Sequence, residues 1–95
     1  MAQQRKLGSH KTTVINEGGM TKVIYHATPV VSFDKYKIIL DTGGWWTATT
    51  KTRINQASNQ FGLGYHLYQK DYSWYVDYNG RTYTMNTSRL TLERN

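Results

Sequence analysis

Lys51, Asn55 and Asn59 fall four residues apart, with Thr52, Arg53, Gln56 and Gln60 beside them and no acidic residue anywhere in the run. Four-residue spacing puts the first three along one face of a helix. Lys51 and Arg53 in such a row suit phosphate contacts, while the amides of Asn55, Gln56 and Asn59 carry the donor–acceptor pairs that match adenine edges in a major groove. The competing reading is a solvated amphipathic helix whose polar side faces water. Glu is a common surface helix former, so an amide-rich, acid-free row is an uncommon choice for that role. A second set of residues mixes rings with cations: Tyr68, Tyr72, Tyr75 and Tyr78 share the second half of the chain with Lys70 and Arg81, and Trp46, one of an adjacent Trp pair, adds a further ring. Interleaving of that kind suits base stacking combined with backbone tracking. The same rings would also serve as cross-strand packing over a thin core, or as anchors of a protein interface.

Other chemistry is poorly supplied. His10, His26 and His66 lie far apart with no His-x₃-His spacing, and Cys is absent. A metal centre is therefore not expected. Asp34, Asp41, Asp71 and Asp77 fall in turns or on a strand face expected to be wet, which is where acids occur by default. No Gly-x-Ser-x-Gly elbow or phosphate loop is present, so the expectation is a non-enzymatic protein without a cofactor.

The chain has 95 residues, 38% of them apolar and 14% aromatic. That is enough for one domain with a small core, in which large rings raise the area buried per residue. Twelve Lys and Arg oppose six Asp and Glu, for a net charge of +6. The sign favours anionic partners, although a charge of about 2–8 also simply keeps a small domain soluble. Residues 1–19 read as a flexible basic arm carrying Arg5, Lys6 and Lys11, and a compact domain is expected over residues 20–95. No apolar run nears the roughly 18 residues of a membrane span, and no leader is visible.

Positioning the candidate residues falls to strands around one helix. Val23–His26, Val30–Phe33 and Lys37–Leu40 are β-branched or aromatic runs broken by Pro29 and by Asp34-Lys35-Tyr36. Thr49 or Thr50 can cap a helix over Lys51–Gln60, with Ile54, Ala57 and Phe61 on its buried side and Gly62 as its stop. Tyr65–Lys70, Trp74–Tyr78 and Arg81–Met85 then read as strands. The Asn79-Gly80 pair signals a two-residue type I′ turn. That turn sets Tyr78 opposite Arg81, Val76 opposite Tyr83 and Trp74 opposite Met85. It makes Trp74, Val76, Tyr83 and Met85 the core face, and Tyr75, Asp77, Thr82 and Thr84 the wet face. Leu90 and Leu92 suggest one more short strand. The expected class is α+β: small antiparallel sheets with one helix packed on a face, in the order ββ(β)-α-βββ.

From Thr42-Gly43-Gly44-Trp45 through Thr49-Thr50-Lys51-Thr52-Arg53-Ile54-Asn55-Gln56-Ala57-Ser58 to Phe61-Gly62-Leu63-Gly64, the sequence resembles a family of short bacteriophage proteins of unknown function. The resemblance spans about residues 20–86 and implies a beginning near Met20, a phage origin and a setting in the host cytoplasm. It transfers no activity. Together with the residues, it leads to the expectation of a small phage-encoded nucleic-acid-binding accessory protein. In that reading Lys51, Arg53, Lys70 and Arg81 contact phosphates of DNA or RNA, Asn55, Gln56 and Asn59 read or position, and Trp46, Tyr68 and Tyr75 stack. The alternative is an inhibitor that blocks a host protein through the same aromatic surface. A homodimer closed by strand edges is a further option, and no membrane partner is expected.

Overall fold

A computed structural model describes residues 12–25, 28–44 and 46–94. The strands are β1 (Thr12–Glu17), β2 (Met20–Tyr25), β3 (Thr28–Phe33) and β4 (Lys37–Asp41), then β5 (Tyr65–Lys70), β6 (Ser73–Tyr78), β7 (Arg81–Thr84) and β8 (Arg89–Glu93) after α1 (Ala48–Phe61), the one helix among the described residues. They form two antiparallel sheets, ordered β1-β2-β3-β4-β8 and β5-β6-β7. This is the α+β class the sequence predicts. Four strands rather than two or three precede the helix, and β8 returns to pair with β4.

The extra strand is β1. Thr12–Glu17, assigned from sequence to a flexible arm, pairs along its whole length with β2. The expected boundary at Met20 therefore falls inside a hairpin, whose turn is Gly18-Gly19. Arg5, Lys6, Lys11 and His26 lie outside the described residues.

One apolar cluster joins both sheets to the helix. Val23, Val31, Ile38, Leu40 and Leu92 come from the first sheet, Ile54 and Ala57 from α1, and Leu67, Trp74, Val76 and Met85 from the second sheet and its end. Strict alternation in β4 and β6 puts every second residue into this cluster. In β3, Val30, Val31 and Ser32 are all buried, so both faces of that strand are covered.

The β6–β7 hairpin has the predicted register, with Tyr78 opposite Arg81 and Val76 opposite Tyr83. Met85 N–H bonds Trp74 C=O at 2.9 Å, which carries the pairing one step beyond β7. Asn79 and Gly80 both have positive φ, as a type I′ turn requires. Trp74, Val76 and Met85 are buried as expected, Tyr83 is half-buried, and Tyr78 joins the core face.

The turn between β3 and β4 is built on Asp34, whose carboxylate accepts from the N–H groups of Tyr36 (2.7 Å) and Lys37 (2.9 Å). The Tyr36 bond, aided by that from Lys37 and by the cations of Lys37 and Arg94, holds the Asp34 carboxyl below its ordinary pKa. Arg94 also donates to the Asp34 carbonyl at 2.7 Å, so the end of β8 is tied to this turn.

The helix begins three residues before Lys51, and the cap is Thr47 rather than Thr49 or Thr50. Thr47 has extended backbone, and its hydroxyl accepts from Thr50 N–H at 3.2 Å and donates to the Thr50 hydroxyl at 3.1 Å. Gly43 fixes the approach to this cap. Its φ is +64°, and a Cβ there would stand 2.7 Å from Thr28 Cγ2, so any larger residue meets both strain and a clash. At the other end Gly62, at φ 65°, closes the helix, and Leu63 N–H returns to Ser58 C=O at 3.0 Å.

Replacing Thr47 by Ala lowers stability by about 1 kcal/mol in urea denaturation, because one orphan N–H loses its acceptor. Thr49→Ala, at an exposed position in the first turn, leaves the midpoint nearly unchanged. Equal losses from the two would contradict the cap assignment.

Candidate functional site

The amide-rich row of α1 is not a free surface. Asn55 donates from Nδ2 to the Leu67 carbonyl and accepts from Leu67 N–H through Oδ1, both at 2.8 Å. Ser58, one turn further on, does the same two residues earlier on β5: its hydroxyl donates to Tyr65 C=O (2.8 Å) and accepts from Tyr65 N–H (3.1 Å). Tyr65 in turn donates its phenol to Ile54 C=O, and burial pushes that phenol far above its ordinary pKa. β5 is an edge strand of its sheet, and two helix side chains occupy the backbone groups that Tyr65 and Leu67 would otherwise present to another strand. Asn55 is thus committed to the fold, and its amide edge is not free for a base.

The remaining helix residues diverge. Arg53 lies over the ring of Tyr25 in β2, 5.4 Å from its centroid, and its Nη1 donates to Gln56 Oε1 at 3.1 Å. Lys51 points elsewhere, its ammonium 5.8 Å from the Trp74 ring, against whose face or edge Trp46 stands at 5.0 Å and 82°. Asn59 is exposed near the helix end. The structure therefore does not align Lys51, Arg53, Asn55, Gln56 and Asn59 for entry into one groove.

The second sheet brings together a different set. Period-two alternation puts Trp74, Val76 and Tyr78 inside, and leaves His66, Tyr68 and Lys70 of β5 on the outer face with Tyr75 and Asp77 of β6. Register then places His66 opposite Asp77, Tyr68 opposite Tyr75 and Lys70 opposite Ser73. The Tyr68 ring stacks on His66 at 5.7 Å and 18°, and leans on Tyr75 at 5.7 Å and 31°. Its phenol donates to Asp77 Oδ1 at 3.2 Å, and Thr82 of β7 donates to the same oxygen at 2.8 Å. Partial burial, with the Asp77 carboxylate beside it, raises the Tyr68 pKa and keeps the phenol a donor. Three rings are thus held on one open face, with Lys70 at one end of it and the acid at the other.

Arg81 does not join Lys70. It pairs with Tyr78 at the far end of the sheet and shares that residue's side, not the side of Tyr68 and Tyr75. His66 is the member that sequence reasoning missed. It was weighed only as a metal ligand, although its spacing of two from Tyr68 placed it on the same strand face.

At the Lys70–Ser73 end lies a cleft of about 420 Å³, with Trp46, Gln69, Tyr72, Trp74, Met85 and Asn86 in its walls. Trp46 is 44% exposed and Tyr72 97% exposed. Among the described residues no helix is long and apolar enough to cross a membrane.

These features define a small α+β protein whose helix binds the edge strand of a three-stranded sheet and in which, among the described residues, nothing covers that sheet's aromatic outer face. The chain belongs to the Kyanoviridae Gp96 protein family, a bacteriophage family whose model matches residues 1–91. The match covers β1 and the residues before it, so the family pattern reaches well ahead of Met20, where the resemblance had implied a beginning. No curated protein and no solved structure matches the chain.

Asn55→Ala leaves the N–H and C=O of Leu67 without their partners and costs about 2–3 kcal/mol in chemical denaturation. Asn59→Ala, on the same helix row but exposed, costs less than about 0.5 kcal/mol.

Proposed function

We propose that this phage protein is a non-enzymatic accessory factor that binds single-stranded nucleic acid on the outer face of β5–β6–β7. The observation that carries the reading is the ring set His66–Tyr68–Tyr75, fixed by Asp77 on an uncovered strand pair with Lys70 at its end. A sheet face with ordered rings supplies stacking surface at little conformational cost, and every base has a face to offer it. The net charge of +6 supplies the long-range attraction, and Lys70 is the cation that register places on the platform's own face. Duplex reading by the helix is the weaker version of the same idea, because Asn55 is committed to Leu67.

One observation favours the alternative, an inhibitor seated on a host protein: Tyr36, Trp46 and Tyr72 stand exposed as large rings. Tyr and Trp are the usual anchors of protein interfaces. Salt separates the two readings, since phosphate contacts weaken steeply with ionic strength and buried aromatic anchors do not.

In fluorescence anisotropy with labelled single- and double-stranded DNA and RNA, the expected result is preference for a single strand, weakening between about 50 and 200 mM salt. Tyr68→Ala and Tyr75→Ala each cost about 1–3 kcal/mol of binding. Lys70→Gln lowers the slope of log affinity against log salt by about one. Absence of binding at low salt would retire the proposal in favour of a host-protein target.

A further inference from the structure

The turn joining β5 to β6 breaks the chemistry of its type. Asp71 has φ 50° and Tyr72 has φ 68°, so a two-residue turn that favours Asn-Gly holds a tyrosine in the left-handed region. That ring makes no use of the cost within the domain, since it is 97% exposed. It forms a wall of the cleft of about 420 Å³, a size within the range of about 300–1,000 Å³ typical of small-molecule sites. Trp46 and Trp74 are also in the walls, and Trp46 meets Trp74 at 82°. Gln69 and Asn86 bring two amide side chains to the lining, and Lys51 stands over the Trp74 ring. Ser73, the partner of Lys70 at the end of the ring platform, is also a lining residue, so platform and cleft are continuous around the turn.

We propose that this cleft receives one unstacked base of the single strand that crosses the sheet face. The inference rests on the stacking reading above and extends it to a second subsite. A base offers what this lining asks for: a planar face for Trp46 and Tyr72, and donor–acceptor edges for Gln69 and Asn86. A purely apolar occupant would strip water from both amides and return nothing. Lys51 gives the adjoining phosphate a cation near the mouth. The strand therefore turns at Lys70, passes Tyr72 and ends or bends in the cleft.

The test uses the full chain and single-stranded oligonucleotides carrying one 2-aminopurine, whose fluorescence responds to stacking. Tyr72→Gly removes the ring and relieves the backbone, so the melting midpoint stays or rises while affinity falls about tenfold. Asn86→Ala, also exposed, gives a smaller loss with the fold intact, and Tyr36→Ala, on the other sheet, gives none. In the parent the 2-aminopurine signal is quenched at one position of the oligonucleotide, and Tyr72→Gly restores it. If Tyr68→Ala weakens binding but Tyr72→Gly and Asn86→Ala do not, the cleft is no subsite and the platform stands. If the cleft variants weaken binding and the platform variants do not, the cleft is upheld and the platform falls. If the parent binds no oligonucleotide, both are overturned.

Discussion

The paired hydrogen bonds of Asn55 to Leu67 and of Ser58 to Tyr65 hold the domain in its present arrangement. A three-stranded sheet exposes two edges, and an unpaired edge recruits other strands unless something blunts it. Here a helix supplies two short polar side chains, placed so that each takes both backbone groups of one residue on β5. The spacing is geometric. Residues three apart on a helix advance about 4.5 Å, and residues two apart on a strand advance about 6.6 Å. The reach of an amide against that of a hydroxyl makes up part of the difference. Once β5 is tied in this way, Ile54 and Ala57 are carried into the shared core and the two sheets close over them.

That arrangement decides which face is left for function. The core draws Tyr65 and Leu67 of β5 and Trp74, Val76 and Tyr78 of β6 inward, so the residues between them face outward, where among the described residues they pack on one another. A sheet of this size commonly fills its outer face with Thr, Lys and Glu. Here the central positions are His66, Tyr68 and Tyr75, and an acid is used to orient a phenol rather than to solvate the surface. The lean apolar content of the chain makes the choice more telling, since rings placed outside are rings withheld from a small core. The outer face is also the part of this sheet that no element of the described chain constrains, which leaves it free to meet a partner without disturbing the fold.

Much of this was legible in the sequence, for identifiable reasons. Asn79-Gly80 between alternating runs fixed a register that the hairpin follows residue for residue. Ile54, Ala57 and Phe61 marked the helix's inner side correctly, because an apolar stripe at helical spacing has one use in a small domain. β1 was missed although its signals were present: Thr12-Thr13-Val14-Ile15 is β-branched and Gly18-Gly19 is a hairpin turn. Basic, polar neighbours obscured a short strand whose residues are half-buried or exposed. The helix row was misjudged for a deeper reason. An amide that pairs with a base edge and an amide that pairs with a strand edge present the same atoms, and sequence spacing cannot distinguish the two. Only the position of β5 does so. Alternation places Tyr68, Tyr75 and His66 on one face, but the ring set read from the sequence left out His66 and included Tyr78, which the structure buries, and Trp46 and Tyr72, which stand at the cleft.

Local rules broken without an internal compensation mark where a fold has been shaped by something outside it. Among the described residues, three two-residue hairpin turns have positive φ at both central residues. Gly18-Gly19 and Asn79-Gly80 meet the requirement with the residues that bear it most easily, whereas Asp71-Tyr72 does not. A tyrosine in that conformation costs about 1–2 kcal/mol relative to glycine, and in a domain of this size that is a sizeable part of the total. Packing cannot repay it, because the ring is almost wholly in solvent. Its position is the remaining explanation. The residue stands in the turn at the end of the sheet and lines the cleft there with Trp46 and Trp74. An exposed aromatic residue that lines the cleft together with two tryptophans is what the proposed base subsite would use, and the conformational cost at the turn is the local departure which that proposal accounts for.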